Sequence, residues 1–263
     1  MACRAGRRVD SLGDVATIGR QARETFRRQG LVVIPDVLSG EQLTAARVTV
    51  AAMLARRPHA EGHVRPYFLW PRCGAAGHPL LDLYHRVGVG RLAAQLLRPD
   101  LTVQVPDFAQ VATTIPPWPH PGGPHVDGLT PGEPDGRPGT FSLLAGVLLT
   151  DQRQPNRGNL WVWPGTHLRF GRYLAEHGAD ALTRVDEMAP GPYPKIELGQ
   201  PEQVTAPAGS VLFAHYLLAH NIGGHEGEAA DERRETVYYR LHASGHRERW
   251  REAVTNPLAE FHQ

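Results

Sequence analysis

Beyond Pro99 the sequence consists of short runs of β-forming residues separated by turns rich in proline, glycine, asparagine and aspartate. Several short strands interrupted in this way predict a sandwich or jelly roll. The predicted strands cover residues 101–105, 108–115, 141–150, 159–163, 210–215 and 236–241. An insert near residues 168–204 interrupts them, and a short helix is predicted within it at 173–177.

The first 99 residues indicate helices around one short strand. Asp14 is placed to cap a helix that Gly30 ends, because its apolar residues recur at helical spacing. Residues 31–35 predict a buried strand, and Ser39 with Gln42 forms a capping-box pattern before a second helix. A third helix is predicted over 80–97. We expect one domain over residues 1–263, with a helical flank (1–99), a jelly-roll core (100–245) and a C-terminal tail (246–263).

Composition and charge give no indication of nucleic-acid or membrane partners. The formal net charge of +1 gives no electrostatic reason to expect nucleic acid or a membrane surface. The sequence contains no run of eighteen apolar residues, so no transmembrane helix is predicted. The charged N-terminus is not followed by the apolar stretch that is typical of a secretory signal. Cys3 and Cys73 lack zinc-finger spacing and are interpreted as reduced thiols. We therefore expect a cytoplasmic monomer or small homo-oligomer that acts on a small molecule.

His125 and Asp127 form the clearest candidate metal motif. Along extended backbone, side chains two residues apart point to the same face, so both can bind one ion. A second histidine from elsewhere would complete a three-cornered site with open positions, the arrangement typical of non-haem iron oxygenases. Solvated charge is the preferred interpretation of two further pairs with the same spacing, His59/Glu61 and His246/Glu248.

Other segments accompany this motif in a fixed order. Gln110 precedes it on a predicted strand, and it is followed by a strand and tight turn at 158–167, a histidine-bearing strand end at 208–221 and an arginine-bearing strand at 233–240. With the opening Phe-Arg-Arg-Gln-Gly-Leu-Val-Val-Ile-Pro-Asp-Val-Leu-Ser at 26–39, this order resembles the phytanoyl-CoA dioxygenase family of iron- and 2-oxoglutarate-dependent oxygenases. The resemblance covers most of the chain.

The resemblance implies roles for individual residues. His125, Asp127 and His220 match the iron(II) ligands. Arg234 matches the arginine that binds the distal carboxylate of 2-oxoglutarate, for which a planar two-pronged donor is well suited. Gln110 falls where the family often places a polar co-substrate contact. The fold implied is a double-stranded β-helix, or jelly roll, with flanking helices.

Two of these assignments have rivals. His215 and His225 compete with His220 as the distal ligand. Arg233 competes with Arg234, because the segment that precedes them is slightly longer than usual for the family. Adjacent residues on a strand point to opposite faces, so only one of the two arginines can bind 2-oxoglutarate.

The activity implied is hydroxylation of a small organic substrate with iron(II), O2 and 2-oxoglutarate, which is decarboxylated to succinate. Bacterial secondary metabolism is the suggested setting. Because Asp127 is a carboxylate, the motif disfavours halogenation. In related halogenases a small residue replaces this carboxylate and leaves a coordination position of the iron free for chloride. Desaturation, cyclisation and epimerisation stay open, as does a non-catalytic jelly-roll binding protein with a structural metal. Three residues are predicted to contact substrate: Arg240, Trp118 and Tyr67.

Overall fold

Two antiparallel sheets form the centre of the computed structural model, which describes residues 16–56, 67–119, 121–127, 133–183 and 196–262. In chain order the strands are β1 (Leu31–Ile34), β2 (Tyr67–Leu69), β3 (Ala109–Thr114), β4 (Leu143–Leu148), β5 (Leu160–Val162), β6 (Glu202–Gln203), β7 (Val211–His215), β8 (His220–Ile222) and β9 (Arg234–Leu241). The larger sheet has the order β1-β7-β4-β9-β3-β2, and the smaller has the order β6-β5-β8. This mainly antiparallel architecture with flanking helices confirms the predicted jelly-roll class.

Within the described ranges, six α-helices pack around the sheets: α1 (Arg20–Gln29), α2 (Gly40–Ala55), α3 (Pro79–Val87), α4 (Val89–Ala94), α5 (Thr166–His177) and α6 (Trp250–Thr255). Gly30 ends α1 in the left-handed conformation, as predicted. Ser39 and Gln42 form the predicted reciprocal capping box at the start of α2. Asp14 lies outside the described residues. Among the described residues, none of the helices is both long and apolar enough to cross a membrane.

Three local predictions differ from the structure. The helix predicted over 80–97 is divided into α3 and α4 at Gly88, whose φ of 73° interrupts the helical path. Residues 101–105 form no strand and contribute one isolated bridge, between Val103 and Ala243. The helix in the insert is longer than predicted, because α5 begins at Thr166.

Alternation along the strands divides the core into two layers. Val111 of β3 and Val237 of β9 pack in the cluster shared with helices α1–α4, whereas Ala112 and Tyr238 pack in the cluster between the two sheets. Successive side chains of a strand point to opposite faces. The even-numbered residues of β3 and β9 therefore belong to one face, the interior face, which is directed toward the smaller sheet.

A buried polar network links the C-terminal segment to the larger sheet. The His246 Nδ1 lies 3.0 Å from each carboxylate oxygen of Glu260, and the Ser142 hydroxyl donates to Glu260 at 2.6 Å. His246 Nε2 lies 3.0 Å from the Thr140 hydroxyl. His246 is 2% exposed, so the interpretation of the His246/Glu248 pair as solvated charge was wrong for the histidine. The other pair, His59/Glu61, lies outside the described residues.

Replacing Glu260 with alanine should lower the free energy of unfolding by about 2–3 kcal/mol, because buried partners lose a charged acceptor. Burial raises the pKa of Glu260, but hydrogen bonds from His246 and Ser142 outweigh it and hold the pKa below its ordinary value of 4.5. The carboxylate therefore stabilises the fold above that pH, and this contribution is lost as the pH falls through the lower folded-state value. Urea unfolding at pH 7 and pH 4 measures both effects. The exposed Glu252 of α6, changed to alanine, is the matched control, and an equal loss in the two variants would contradict the prediction.

Candidate active site

The backbone brings His125, Asp127 and His220 together. His220 begins β8, and its backbone exchanges two hydrogen bonds of 2.9 Å with that of His125. Asp127 lies two residues further along and points to the same side. One ligand atom from each residue can be chosen so that all three lie within 4.8 Å of one another. In the part of the chain that the structure describes, His125, Asp127 and His220 form the one group of three His, Cys, Asp or Glu side chains that lie close enough together to bind a metal ion.

Both imidazoles present the same nitrogen to the centre. The Nδ1 of His125 lies 3.1 Å from the Gly123 carbonyl, and the Nδ1 of His220 lies 2.9 Å from the Leu218 carbonyl. A carbonyl accepts only from a protonated nitrogen, so the lone pair of each neutral ring is at Nε2. The two Nε2 atoms lie 3.8 and 3.9 Å from Asp127 Oδ1. Metal bonds of about 2.1 Å span donor separations up to about 4.2 Å, so the carboxylate oxygen and either imidazole nitrogen are close enough to bind the same ion.

The protonation states also suit a metal cation. Burial and the neighbouring His125 lower the pKa of His220 to about 4, so this imidazole is neutral at physiological pH. Burial raises the pKa of Asp127, but His220 and the Arg240 guanidinium outweigh it, so the net shift is downward and the carboxylate is ionised. Two neutral imidazoles and one carboxylate form the ligand set preferred by non-haem iron(II).

Arg240 contacts the second oxygen of the same carboxylate. Its Nη2 lies 3.3 Å from Asp127 Oδ2, and its guanidinium carbon lies 5.1 Å from the centre of the Trp70 ring and 5.4 Å from that of Phe141. The guanidinium therefore neutralises and orients a candidate metal ligand. Sequence reasoning assigned Arg240 to substrate, and the structure adds this contact with Asp127, which sequence reasoning missed.

Replacing Arg240 with alanine should weaken divalent metal binding by about 10–100-fold, because the partner that orients the Asp127 carboxylate is lost. Lysine at position 240 should recover part of this affinity, since it restores the charge without the planar fork. Calorimetric titration with Ni2+ measures the change. Arg72 is the matched control, because it lies over the Phe108 ring but has no carboxylate contact within the described part of the chain. Unchanged affinity in Arg240→Ala would contradict the positioning role.

Arg234 is a buried cation with an unused donor. The residue is 1% exposed, its Nε donates to Gln152 at 3.2 Å and its Nη2 donates to the Tyr238 hydroxyl. Its Nη1 has no hydrogen-bond partner, and no carboxylate of the described residues pairs with the guanidinium. Burying a charge without a counter-ion is costly, so this environment favours an anionic ligand. Arg233, by contrast, is 42% exposed and pairs with Glu235 at 2.8 Å.

Two residues that sequence reasoning missed hold this guanidinium in place. Tyr238 lies four residues after Arg234 on β9, and hence on the same interior face. It is paired across the sheet with Gly146, where a Cβ would come within 2.7 Å of the Tyr238 ring. A side chain at that position would displace the tyrosine. Tyr238 lies an even number of residues from Arg234, and this spacing could have identified it in the sequence. Gln152 lies in the loop after β4, where no periodicity identifies it.

Three further residues were predicted to contact co-substrate or substrate: Gln110, Trp118 and Tyr67. Gln110 is paired with Tyr238 across the sheet and therefore shares the interior face. Trp118 is half-buried, exchanges backbone hydrogen bonds with His225, and has an indole N–H without a partner among the described residues. Tyr67 begins β2, and its backbone is paired with that of Thr113 in β3. The functional roles of these residues stay predictions.

The rival histidines have structural partners. His215 Nε2 lies 2.7 Å from the Pro257 carbonyl, and its Nδ1 accepts from the Leu217 amide at 2.9 Å. His225 Nε2 lies 2.9 Å from the Glu232 carbonyl, and its Nδ1 accepts from the Gly227 amide at 3.1 Å. Both rings have their nitrogens engaged by backbone, so neither competes with His220 for a metal.

Comparisons with known proteins give a consistent result. Similar solved structures include the α-ketoglutarate-dependent carbocyclase SnoK of nogalamycin biosynthesis, with 21% sequence identity, 90% of this chain and 94% of that chain covered, and a TM-score of 0.58. The epimerase SnoN in complex with Fe3+, α-ketoglutarate and nogalamycin RO has 18% identity, coverages of 84% and 82%, and a TM-score of 0.57. HygX from Streptomyces hygroscopicus with nickel and 2-oxoglutarate has 18% identity, coverages of 86% and 87%, and a TM-score of 0.54. At these identities they show the fold alone.

No curated protein sequence matches the chain. The family model described as phytanoyl-CoA dioxygenase matches residues 26–234, which include the three candidate metal ligands and end at the buried arginine. The match covers well over half of the chain. The chain therefore belongs to the phytanoyl-CoA dioxygenase family of iron- and 2-oxoglutarate-dependent oxygenases.

Proposed function

We propose that this protein hydroxylates a small organic molecule, using iron(II), O2 and 2-oxoglutarate and releasing succinate. The observation that carries the proposal is the convergence of His125, Asp127 and His220 on one point, with both imidazoles fixed in the tautomer that presents Nε2. The buried guanidinium of Arg234 supports it, because it offers an unused donor to a carboxylate.

Each residue has a defined task in this proposal. Iron(II), when bound, supplies the redox chemistry that couples decarboxylation of 2-oxoglutarate to oxidation of the substrate. His125, Asp127 and His220 would hold the ion through two imidazole nitrogens and one carboxylate oxygen. Arg240 keeps the Asp127 carboxylate oriented by pairing with its Oδ2. Arg234 binds and orients the far carboxylate of 2-oxoglutarate in a site from which water is excluded, where a charged hydrogen bond is strong.

The direct test is anaerobic titration of the protein with iron(II) and 2-oxoglutarate. We expect a visible absorption band from the chelated complex, and succinate formation once air is admitted. The His220→Ala variant is the control that should show neither. Its matched partner is His225→Ala, which removes a buried histidine outside the cluster and should retain the band. A protein that binds neither iron(II) nor 2-oxoglutarate would contradict the proposal.

A second outcome of the same chemistry is ring formation or epimerisation. The observation that favours it is the similarity to solved structures described as a carbocyclase and an epimerase of nogalamycin biosynthesis. This similarity also supports a role in secondary metabolism. Mass spectrometry of the product under 18O2 separates the outcomes, because hydroxylation adds one labelled oxygen whereas cyclisation and epimerisation add none.

A non-catalytic binding protein with a structural metal is a weaker alternative. Such a protein has no use for a buried guanidinium with a free donor, and keeping one in the core lowers its stability. Turnover of 2-oxoglutarate by the iron-loaded protein would exclude this alternative.

A further inference from the structure

Exposed large apolar side chains are concentrated in one part of the molecule. Among the described residues there are five, and four of them lie in the neighbouring segments 68–70 and 105–108. They are Phe68 (39% exposed), Trp70 (47%), Val105 (53%) and Phe108 (44%), whereas the fifth, Val48, lies on α2. Single exposed apolar residues are ordinary, but a contiguous group on a soluble domain indicates a binding surface.

Strand register places three of these rings on one face. Phe68 is paired with Ala112, and Arg72 forms a bridge with Phe108, so the same register places Trp70 opposite Gln110. Phe68, Trp70 and Phe108 therefore share the face of Ala112 and Gln110, which is the interior face. We name these three side chains the aromatic surface. It is the exposed continuation of the sheet face that carries Tyr238 and Arg240.

The aromatic surface reaches the candidate metal centre through one side chain. The Arg240 guanidinium contacts the Trp70 ring and the Asp127 carboxylate at once, with distances of 5.1 Å from its carbon to the ring centre and 3.3 Å from Nη2 to Oδ2. The Arg240 side chain as a whole is 20% exposed. A molecule lying on Trp70 would thus extend toward the metal ligands and would meet the exposed part of this side chain.

We propose that the aromatic surface binds the substrate, and that the substrate is a flat, mainly apolar ring system with an anionic or hydrogen-bond-accepting group. This inference rests on the proposed function. The surface extends from Phe68 to the level of Arg72, which lies opposite Phe108. This is four residue steps, or about 13 Å at 3.3 Å per residue, and it suits two or three rings better than an amino acid or an osmolyte. Aromatic rings prefer offset stacking on such faces, and the guanidinium of Arg240 provides the polar anchor.

A second copy of this chain is a less suitable occupant. Three exposed rings supply a few hundred Å2 at most, whereas a stable interface buries about 1,200 Å2 or more. The adjoining edge strand β2 has only three residues, which limits pairing between sheets.

The test uses anthraquinone-2-sulfonate, a planar three-ring anion, titrated calorimetrically into the protein loaded with Ni2+ and 2-oxoglutarate. We expect Trp70→Ala to weaken probe binding at least tenfold and Phe108→Ala to weaken it severalfold. Val48→Ala, which removes the exposed apolar residue of α2, should have no effect. Affinity for 2-oxoglutarate, measured on the same samples, should be unchanged in all three variants. Glycine betaine, a small zwitterion without a ring, should not displace the probe.

Several results would overturn the inference: no probe binding to the unsubstituted protein, equal losses in the Trp70 and Val48 variants, or displacement by glycine betaine. Conversion of a dimer into a monomer by Trp70→Ala, seen by sedimentation, would assign the surface to a second copy instead. Failure of the proposed function looks different. In that case the protein binds no 2-oxoglutarate, while probe binding remains sensitive to Trp70.

Discussion

Replacing Asp127 with alanine should reduce succinate formation by at least about 100-fold while the protein stays folded. Asp127 is the charged member of the candidate ligand set, and its Oδ1 lies 3.8 and 3.9 Å from the Nε2 atoms of His125 and His220. Because loss of a residue that only orients a metal ligand typically costs 10–100-fold, loss of the ligand itself should cost more. The measurements are metal content, anaerobic iron(II) titration and succinate release from the iron-loaded protein.

A matched control separates loss of the ligand from loss of an ion pair. Asp151 also pairs with an arginine, Arg153, but both are exposed, so Asp151→Ala should leave metal affinity and stability nearly unchanged. The Asp127→Asn variant keeps the shape of the side chain and an oxygen but removes the charge, and should fall between wild type and Asp127→Ala in metal affinity. If Asp127→Ala kept more than a tenth of the activity with metal bound, the ligand assignment would be wrong.

Local patterns in the sequence predicted much of the fold because they depend on neighbouring residues. Short runs of β-forming residues between turns located β3, β4, β7 and β9, and the Ser39–Gln42 pair located the start of α2. The end of α1 was predictable because Gly30 adopts the left-handed conformation there, which glycine does without strain. By contrast, Gly88 lies in a continuous apolar pattern, so periodicity alone could not show that α3 and α4 are separate helices.

Contacts between distant parts of the chain were not predictable in the same way. The pairing of Arg240 with Asp127 and that of His246 with Glu260 arise only when separate segments pack together. Neither pair has a spacing that a helix or strand would impose. The candidate ligand set was identified because a short motif, His125-x-Asp127, combined with the family resemblance to indicate a distal histidine.

Strand register distinguishes Arg234 from Arg233, and the two should respond differently to substitution. Changing Arg234 to methionine should raise the half-saturating concentration of 2-oxoglutarate by about 10–100-fold, because a hydrogen bond to a charged group contributes about 1.5–3 kcal/mol. The same change at Arg233 should have little effect, since that guanidinium is 42% exposed and pairs with Glu235. Calorimetric titration with 2-oxoglutarate in the presence of Ni2+ measures both variants.

Thermal unfolding gives a second measurement. The difference in unfolding temperature between Arg234→Met and the wild type should change sign when 2-oxoglutarate and Ni2+ are added. Without 2-oxoglutarate, Arg234→Met should unfold at the same temperature as the wild type or higher. The reason is that a buried cation, which has no counter-ion in the described part of the chain, is replaced by an apolar side chain of similar size. With 2-oxoglutarate and Ni2+, only the wild type and Arg233→Met should gain stability, since a ligand stabilises the fold in proportion to its binding. Loss of this gain in Arg233→Met, with Arg234→Met unaffected, would mean that the register of β9 is displaced by one residue and that the exposed arginine faces the co-substrate.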